Sequence, residues 1–221
     1  IFSTILTTCS VYTYQMLFAP NFLINSPSKR VIIHNNINFK ELSDLLIKDT
    51  IVNDILSFSF LSKVMKYQKN IKEGSYVINS NMSNYDLISM LKSGNQTPVN
   101  ITFSYARKIE DLAEIITKNL KMDKDQFLDY LKTNEENLMG YNYDNIITIF
   151  LPDTYQVYWN ISVENLIKRM NKEYSIFWND ERKIKLNKIG LNLKEFSTLA
   201  SIVSSETNNL KEAKKIAGVY I

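Results

Sequence analysis

Among the 23 acidic residues of this chain, one stands where a carboxylate is out of place. If residues from about Leu193 to Leu210 form one helix, then Phe196, Leu199, Val203 and Leu210 recur at spacings of three, four and seven, and Glu206 falls on the same inward face. An ionised carboxylate among apolar neighbours is costly unless it is paired. Without a partner its pKa rises until it holds a proton near neutrality, which is the condition of a general acid. A glutamate near a helix end also reaches solvent or pairs with a structural lysine or arginine, and the pattern alone leaves both readings open.

Other acids compete poorly. Glu164 and Asp180 fall in predicted first helical turns, where the helix dipole accounts for them, and Glu110, Glu114 and Glu181 read as solvated. Asp153 lies in Leu151-Pro152-Asp153-Thr154-Tyr155, where Pro followed by Asp fits a turn whose carboxylate serves backbone donors. A role for Asp153 as a second acid is the alternative. Around it lie Phe150, Tyr155, Tyr158 and Trp159. Flat rings with polar tips suit the apolar faces of sugars, yet the same rings supply large buried area to a core. Tyr158 and Trp159 are the better candidates for an exposed platform.

Composition removes other chemistries. The single cysteine, Cys9, and the single histidine, His34, fall short of the three or four ligands of a zinc site, and a nucleophile–histidine pair would need His34 suitably placed. His34 follows Ile32-Ile33 at the end of a predicted strand and reads as a surface residue; Cys9 reads as packing. No metal or cofactor is expected. The 26 basic residues are interspersed with 23 acidic ones, with no dense basic stripe, so nucleic acid is not an expected partner.

The elements that must position Glu206 come from periodicity and capping. Ile1 to Ala19 carries no charge and stops at Pro20, which reads as the end of a membrane segment, a full span needing roughly 20 apolar residues. Val31–Ile33 is a predicted strand, Phe39–Thr50 a helix, and Ile51–Met65 continues helically. Ser75–Ile78 is a second strand, and Ser83 caps a helix that ends at Gly94. A junction is expected near residue 95. Beyond it Thr97–Phe103 is extended, Arg107–Leu120 is a helix, Asp123 caps another to Lys132, and 133–144 is a loop. Ser162 caps a helix through Phe177, Asp180 caps one to Ile189, Gly190 stops it, and the Glu206 helix follows. The fold class is α+β.

Three stretches carry a resemblance: Phe150-Leu151-Pro152-Asp153-Thr154-Tyr155; Leu199-Ala200-Ser201-Ile202-Val203-Ser204-Ser205-Glu206-Thr207; and Ile216-Ala217-Gly218-Val219-Tyr220. In order and spacing they resemble the MltG, or YceG-like, endolytic murein transglycosylases, as do Gln96-Thr97-Pro98-Val99 and the helix after Arg107. The resemblance runs from about residue 30 to the end. It implies a membrane helix over 1–19, a LysM-like βααβ module over 30–94 and a mainly helical catalytic domain over 95–221 that continues past Ile221 in the family. It also implies a single-pass inner-membrane protein facing outward, with peptidoglycan glycan strands as substrate and peptidoglycan synthases as expected partners.

The family's catalytic glutamate closes the Ala-Ser-Ile-Val-x-x-Glu-Thr motif, which is Glu206 here, while Asp153, Thr154, Tyr155, Tyr158 and Trp159 are the substrate-binding candidates. Family members often carry an acid where Ser204 stands, so the local charge departs from the pattern. Two other readings remain: a tethered peptidoglycan-binding scaffold without catalysis, and a muramidase using Glu206 with Asp153.

Overall fold

The structure is a computed structural model that describes residues 2–22, 24, 26–48, 51–104, 106, 108–207 and 209–221. Helices alternate with short antiparallel strand pairs, an α+β architecture. The chain divides into two compact units, Ile1–Pro98 with Tyr158–Asn160, and Val99–Val157 with Ile161–Ile221.

The first unit begins with α1 (Phe2–Phe18), followed by β1 (Pro20–Phe22), β2 (Ser28–Ile33), α2 (Phe39–Lys48), α3 (Ile55–Val64), β3 (Gly74–Asn79), β4 (Met82–Ser83) and α4 (Asn84–Ser93). Strands β2 and β3 pair antiparallel with Val31 opposite Tyr76 and Ile33 opposite Gly74. The alternation along β2 turns Val31 and Ile33 inward. There they meet Leu42 and Leu46 of α2, Phe58 and Leu61 of α3, and Leu87 and Leu91 of α4. The Ser83 hydroxyl accepts from the Asp86 N–H at the start of α4, and Gly94 ends that helix at φ +75°, where a Cβ is disfavoured.

One expectation changes in this unit. The helix predicted over 51–65 starts only at Ile55, because the Asp54 carboxylate accepts from Leu56 N–H and Ser57 N–H and so caps it, while Val52 bridges to Phe22. Thr50, the predicted end of α2, lies outside the described residues. Over the expected membrane segment α1 is helical with no buried residue, yet among the described residues no helix is long and apolar enough to cross a membrane. β1, unforeseen, pairs with β4.

Tyr158–Asn160 belongs to this first unit through side-chain contacts. Asn160 accepts from Gln96 Nε2 at 3.1 Å and donates to Glu73 Oε1 at 3.3 Å, and Trp159 meets the His34 ring edge-on at 5.3 Å.

The second unit comprises β5 (Val99–Phe103), α5 (Ile109–Thr117), α6 (Lys124–Thr133), β6 (Asp153–Val157), α7 (Val163–Phe177), α8 (Asp180–Lys188), α9 (Leu193–Glu206) and α10 (Leu210–Tyr220). A capping box at Asp123 and Gln126 opens α6. Arg107, the expected start of α5, lies outside the described residues. Asn179, not Asp180, caps α8, its side chain accepting from Arg182 N–H. β6 replaces the turn expected at Pro152-Asp153 and pairs antiparallel with β5, Tyr155 opposite Ile101 and Thr154 opposite Thr102. The single helix expected from Leu193 to Leu210 is two. Thr207 is extended at φ −156°, ψ 145°; its hydroxyl accepts from Asn209 N–H, and the Asn209 side chain accepts from Lys211 N–H. These side chains bind backbone donors that a continuous helix would need, so the chain restarts as α10.

Candidate active site

Helix α9 is positioned from its N-terminal half. Asn192 and Glu195 form a reciprocal capping box at 2.9 and 2.8 Å. One turn on, the Phe196 ring meets Trp178 edge-on at 5.2 Å, and Trp178 in turn meets the buried Tyr174 ring of α7 at 6.3 Å. Val203 is the buried residue of α9. Glu206 is its last residue and is exposed. The inward face expected for it depended on a helix running through to Leu210, which instead is 81% exposed. A carboxylate at a helix C-terminus meets the negative end of the helix dipole and keeps full access to a ligand arriving from solvent. Beside it, the Thr207 hydroxyl donates to Glu212 Oε2 at 2.8 Å, which fixes the start of α10.

The Phe150–Tyr155 stretch is held by its aromatic rings. Phe150 is buried against Phe103 and Phe127, and Tyr155 stacks on Phe103 at 5.4 Å. The Tyr155 hydroxyl donates to Leu151 O at 2.7 Å and so braces the segment across Pro152. Within the second unit a cavity of about 430 Å³ is lined by Phe150, Leu151 and Pro152 on one side and by Ala200, Ser201 and Ser204 of α9 on another, with Phe103, Trp178 and Phe196 among its walls. Two motif stretches far apart in sequence thus border one space. Glu206 lies just beyond Ser204, past the lining residues.

A second cleft of about 400 Å³ is lined by Asp153, Thr154 and Tyr155 together with Asn100, Gln156, Arg169 and Glu173. Arg169 Nη2 pairs with Glu173 Oε1 at 2.9 Å, and the Thr102 and Thr154 hydroxyls are 2.9 Å apart. Three of the substrate-binding candidates, consecutive in sequence, line this cleft. Tyr158 and Trp159 belong to the first unit instead; Tyr158 is 53% exposed, whereas Trp159, expected on an exposed platform, is only 6% exposed and packed on His34.

Sequence reasoning missed Ser197 and Ser201 on the cavity face of α9 and Arg169 and Glu173 beside the second cleft. The serines repeat at helical spacing toward Ser204, a polar stripe readable in retrospect. Among the described residues no group of three or more His, Cys, Asp or Glu side chains could hold a metal ion.

Burial pushes the Tyr155 hydroxyl up to about 12; the nearby Asp153 and Glu173 carboxylates add to this and Arg169 opposes it. A pKa raised in the fold means stability fully present below the unfolded value of about 10 and lost as pH rises through the folded one. We expect the second unit to lose stability progressively between pH 10 and about 12, and Tyr155→Phe to move the midpoint of that loss upward, read by thermal melts followed by circular dichroism at each pH. An unmoved midpoint would mean that Tyr155 does not couple to alkaline unfolding.

A model of the YceG-like family matches residues 31–221. The chain belongs to the YceG-like family. It is 23% identical over 256 aligned positions to the endolytic murein transglycosylase of Streptococcus pneumoniae strain R6, covering 100% of this chain and 45% of that protein. The same identity and coverage hold for the endolytic murein transglycosylase of S. pneumoniae strain D39. The chain thus spans about half the length of the curated relatives it matches. A crystal structure of a putative YceG-like protein from Listeria monocytogenes aligns over 83% of this chain and 66% of that one, at 18% identity and a TM-score of 0.46. The YceG-like match includes both stretches that border the cavity and the Glu206 position.

Proposed function

We propose that this chain is part of an endolytic lytic transglycosylase that cuts peptidoglycan strands, with Glu206 as its acid and base. The observation that carries the reading is that Phe150-Leu151-Pro152 and Ala200-Ser201-Ser204 line one cavity, with Glu206 exposed at the end of the same helix. Glu206 first protonates the glycosidic oxygen between N-acetylmuramic acid and N-acetylglucosamine as the bond to the anomeric carbon breaks. The carboxylate then takes the proton of the muramic C6 hydroxyl, whose oxygen bonds to that anomeric carbon. The product is a 1,6-anhydro ring with no water consumed, so the second carboxylate of a hydrolase has no part in it. The step calls for no metal or cofactor.

Asp153, Thr154 and Tyr155 in the second cleft, and Tyr158 and Trp159 on the first unit, are proposed glycan contacts. Residues 30–94 form a LysM-like module, a reading supported by the order β2, α2, α3, β3 with β2 and β3 antiparallel. Residues 95–221 belong to the catalytic domain. Residues 1–19, uncharged throughout, anchor the protein in the bacterial inner membrane as a single-pass segment. The catalytic part faces outward, where peptidoglycan synthases are its expected neighbours.

The deciding experiment incubates the complete protein with purified peptidoglycan and reads fragment ends by mass spectrometry. Internal cuts with 1,6-anhydromuramic ends are expected. Reducing ends would make the protein a muramidase using Glu206 with Asp153, and retained glycan binding without cuts would make it a scaffold.

A further inference from the structure

Helix α3 has an apolar face that its own unit does not cover. Phe58 and Leu61 point into the core, yet Leu56, Phe60 and Val64, spaced four apart on the outer face, are 79%, 57% and 60% exposed. A surface helix ordinarily turns polar residues outward, so three large apolar side chains in one stripe mark a surface with a partner.

Three observations bear on what that partner is. The first is what lies beside the stripe. The buried Asn84 amide donates to Met16 O at the end of α1 and to Ser57 Oγ in the first turn of α3, both at 3.0 Å. One side chain, 1% exposed, thereby fixes the C-terminal end of α1 to the start of the stripe. Helix α1 itself has no charged and no buried residue.

The second is an aromatic collar at the junction. Tyr12, Tyr14 and Phe18 are exposed on the last turns of α1, and Phe18 lies 5.7 Å from the exposed Tyr85 ring at the start of α4. Amphipathic rings of this kind gather at headgroup level, which sets the interface at the end of α1 and at the first residues of α3. The third is charge. Residues 55–72 contain Lys63, Lys66, Lys69 and Lys72 and no acid; Lys63, Lys66 and Lys69 are exposed at and beyond the end of the stripe. Lysines flanking an apolar helix face reach the phosphates of anionic lipids while their stems stay over the acyl boundary.

We propose that α3 lies in the headgroup layer of an anionic membrane, seated by Leu56, Phe60 and Val64 and held by Lys63 and Lys66. The first unit then rests on the bilayer rather than hanging from α1. This rests on the reading of α1 as an anchor, and not on glycan cleavage.

The test uses the complete protein in phosphatidylcholine vesicles with and without phosphatidylglycerol. A polarity-sensitive dye is placed either on the native Cys9 or, in the Cys9→Ser protein, at F60C on α3 or K40C on the exposed side of α2. Nitroxide carried by the lipid and iodide in the water act as competing quenchers. Lipid quenching is expected for the Cys9 and F60C labels and iodide quenching for K40C. Lys63→Gln and Lys66→Gln should each lower the seated-to-unseated ratio on anionic vesicles by roughly fivefold. An F60C label quenched by iodide, with Cys9 still lipid-quenched, would overturn the seating and leave the anchor intact. An F60C label shielded from both quenchers would mean that protein covers the stripe, which also overturns it. A Cys9 label untouched by lipid would remove the anchor reading and this one together.

Discussion

Glu206→Gln is expected to lower glycan cleavage by roughly a hundredfold to ten-thousandfold, the range over which a positioned acid–base group acts. The amide is nearly isosteric but neither gives a proton to the glycosidic oxygen nor takes one from the muramic hydroxyl. Because Glu206 is exposed and ends its helix, the substitution removes no buried contact, and thermal stability should hold within about 0.5 kcal/mol. Glycan binding should persist for the same reason. Glu206→Asp keeps the carboxylate one methylene short and should recover part of the rate. The measurement is the rate of anhydromuramic end formation by the complete protein, alongside glycan pull-down and a melting curve. A Gln variant with unchanged rate would move the chemistry elsewhere, with Asp153, exposed at the edge of the second cleft, the next residue to replace.

A stripe through Phe196, Leu199 and Val203 is readable in sequence, and extending it to Leu210 turned Glu206 inward. Thr207 and Asn209, whose side chains compete locally for backbone N–H groups, stop the helix at the carboxylate itself. The same local chemistry made other ends legible: Ser83, Asp123 and Ser162 each cap the helix expected of them, and Gly94 ends α4 in the left-handed conformation.

Strands were harder to read where their pairing is long-range. Pro152-Asp153 is a turn signal within its own few residues, and only β5, some fifty positions earlier, makes a strand of 153–157. The grouping of Trp159 with His34 is equally beyond a local reading, since it follows from which unit receives Tyr158–Asn160. The cavity was foreshadowed only as two motifs; their meeting depends on Trp178, Phe196 and Phe103, none of which belongs to either.

That dependence makes Trp178→Ala the substitution with the largest expected structural effect. Trp178 is 5% exposed, and its ring meets Tyr174 at 6.3 Å, Phe177 at 5.4 Å and Phe196 at 5.2 Å. It therefore joins the end of α7 to the first turn of α9 and forms part of the cavity wall. Truncating a buried tryptophan to alanine costs about 3–5 kcal/mol, combining lost burial with the void that remains. That is a large share of the stability of a single domain, roughly 5–15 kcal/mol. The chain's two tryptophans are divided between the units, Trp159 in the first and Trp178 in the second, so after Trp178→Ala the remaining fluorescence reports the first unit alone. We expect its transition to hold while the helical signal by circular dichroism falls at lower temperature, and cleavage to fail through misplacement of α9. Trp178→Phe, which keeps a ring against Phe196, should restore most of the stability. Such a pattern separates a residue that carries the chemistry from one that carries its position: Glu206→Gln would leave a stable, inactive protein, and Trp178→Ala an inactive one whose second unit has come apart. Equal melting of Trp178→Ala and the parent would mean that α9 is held by other contacts.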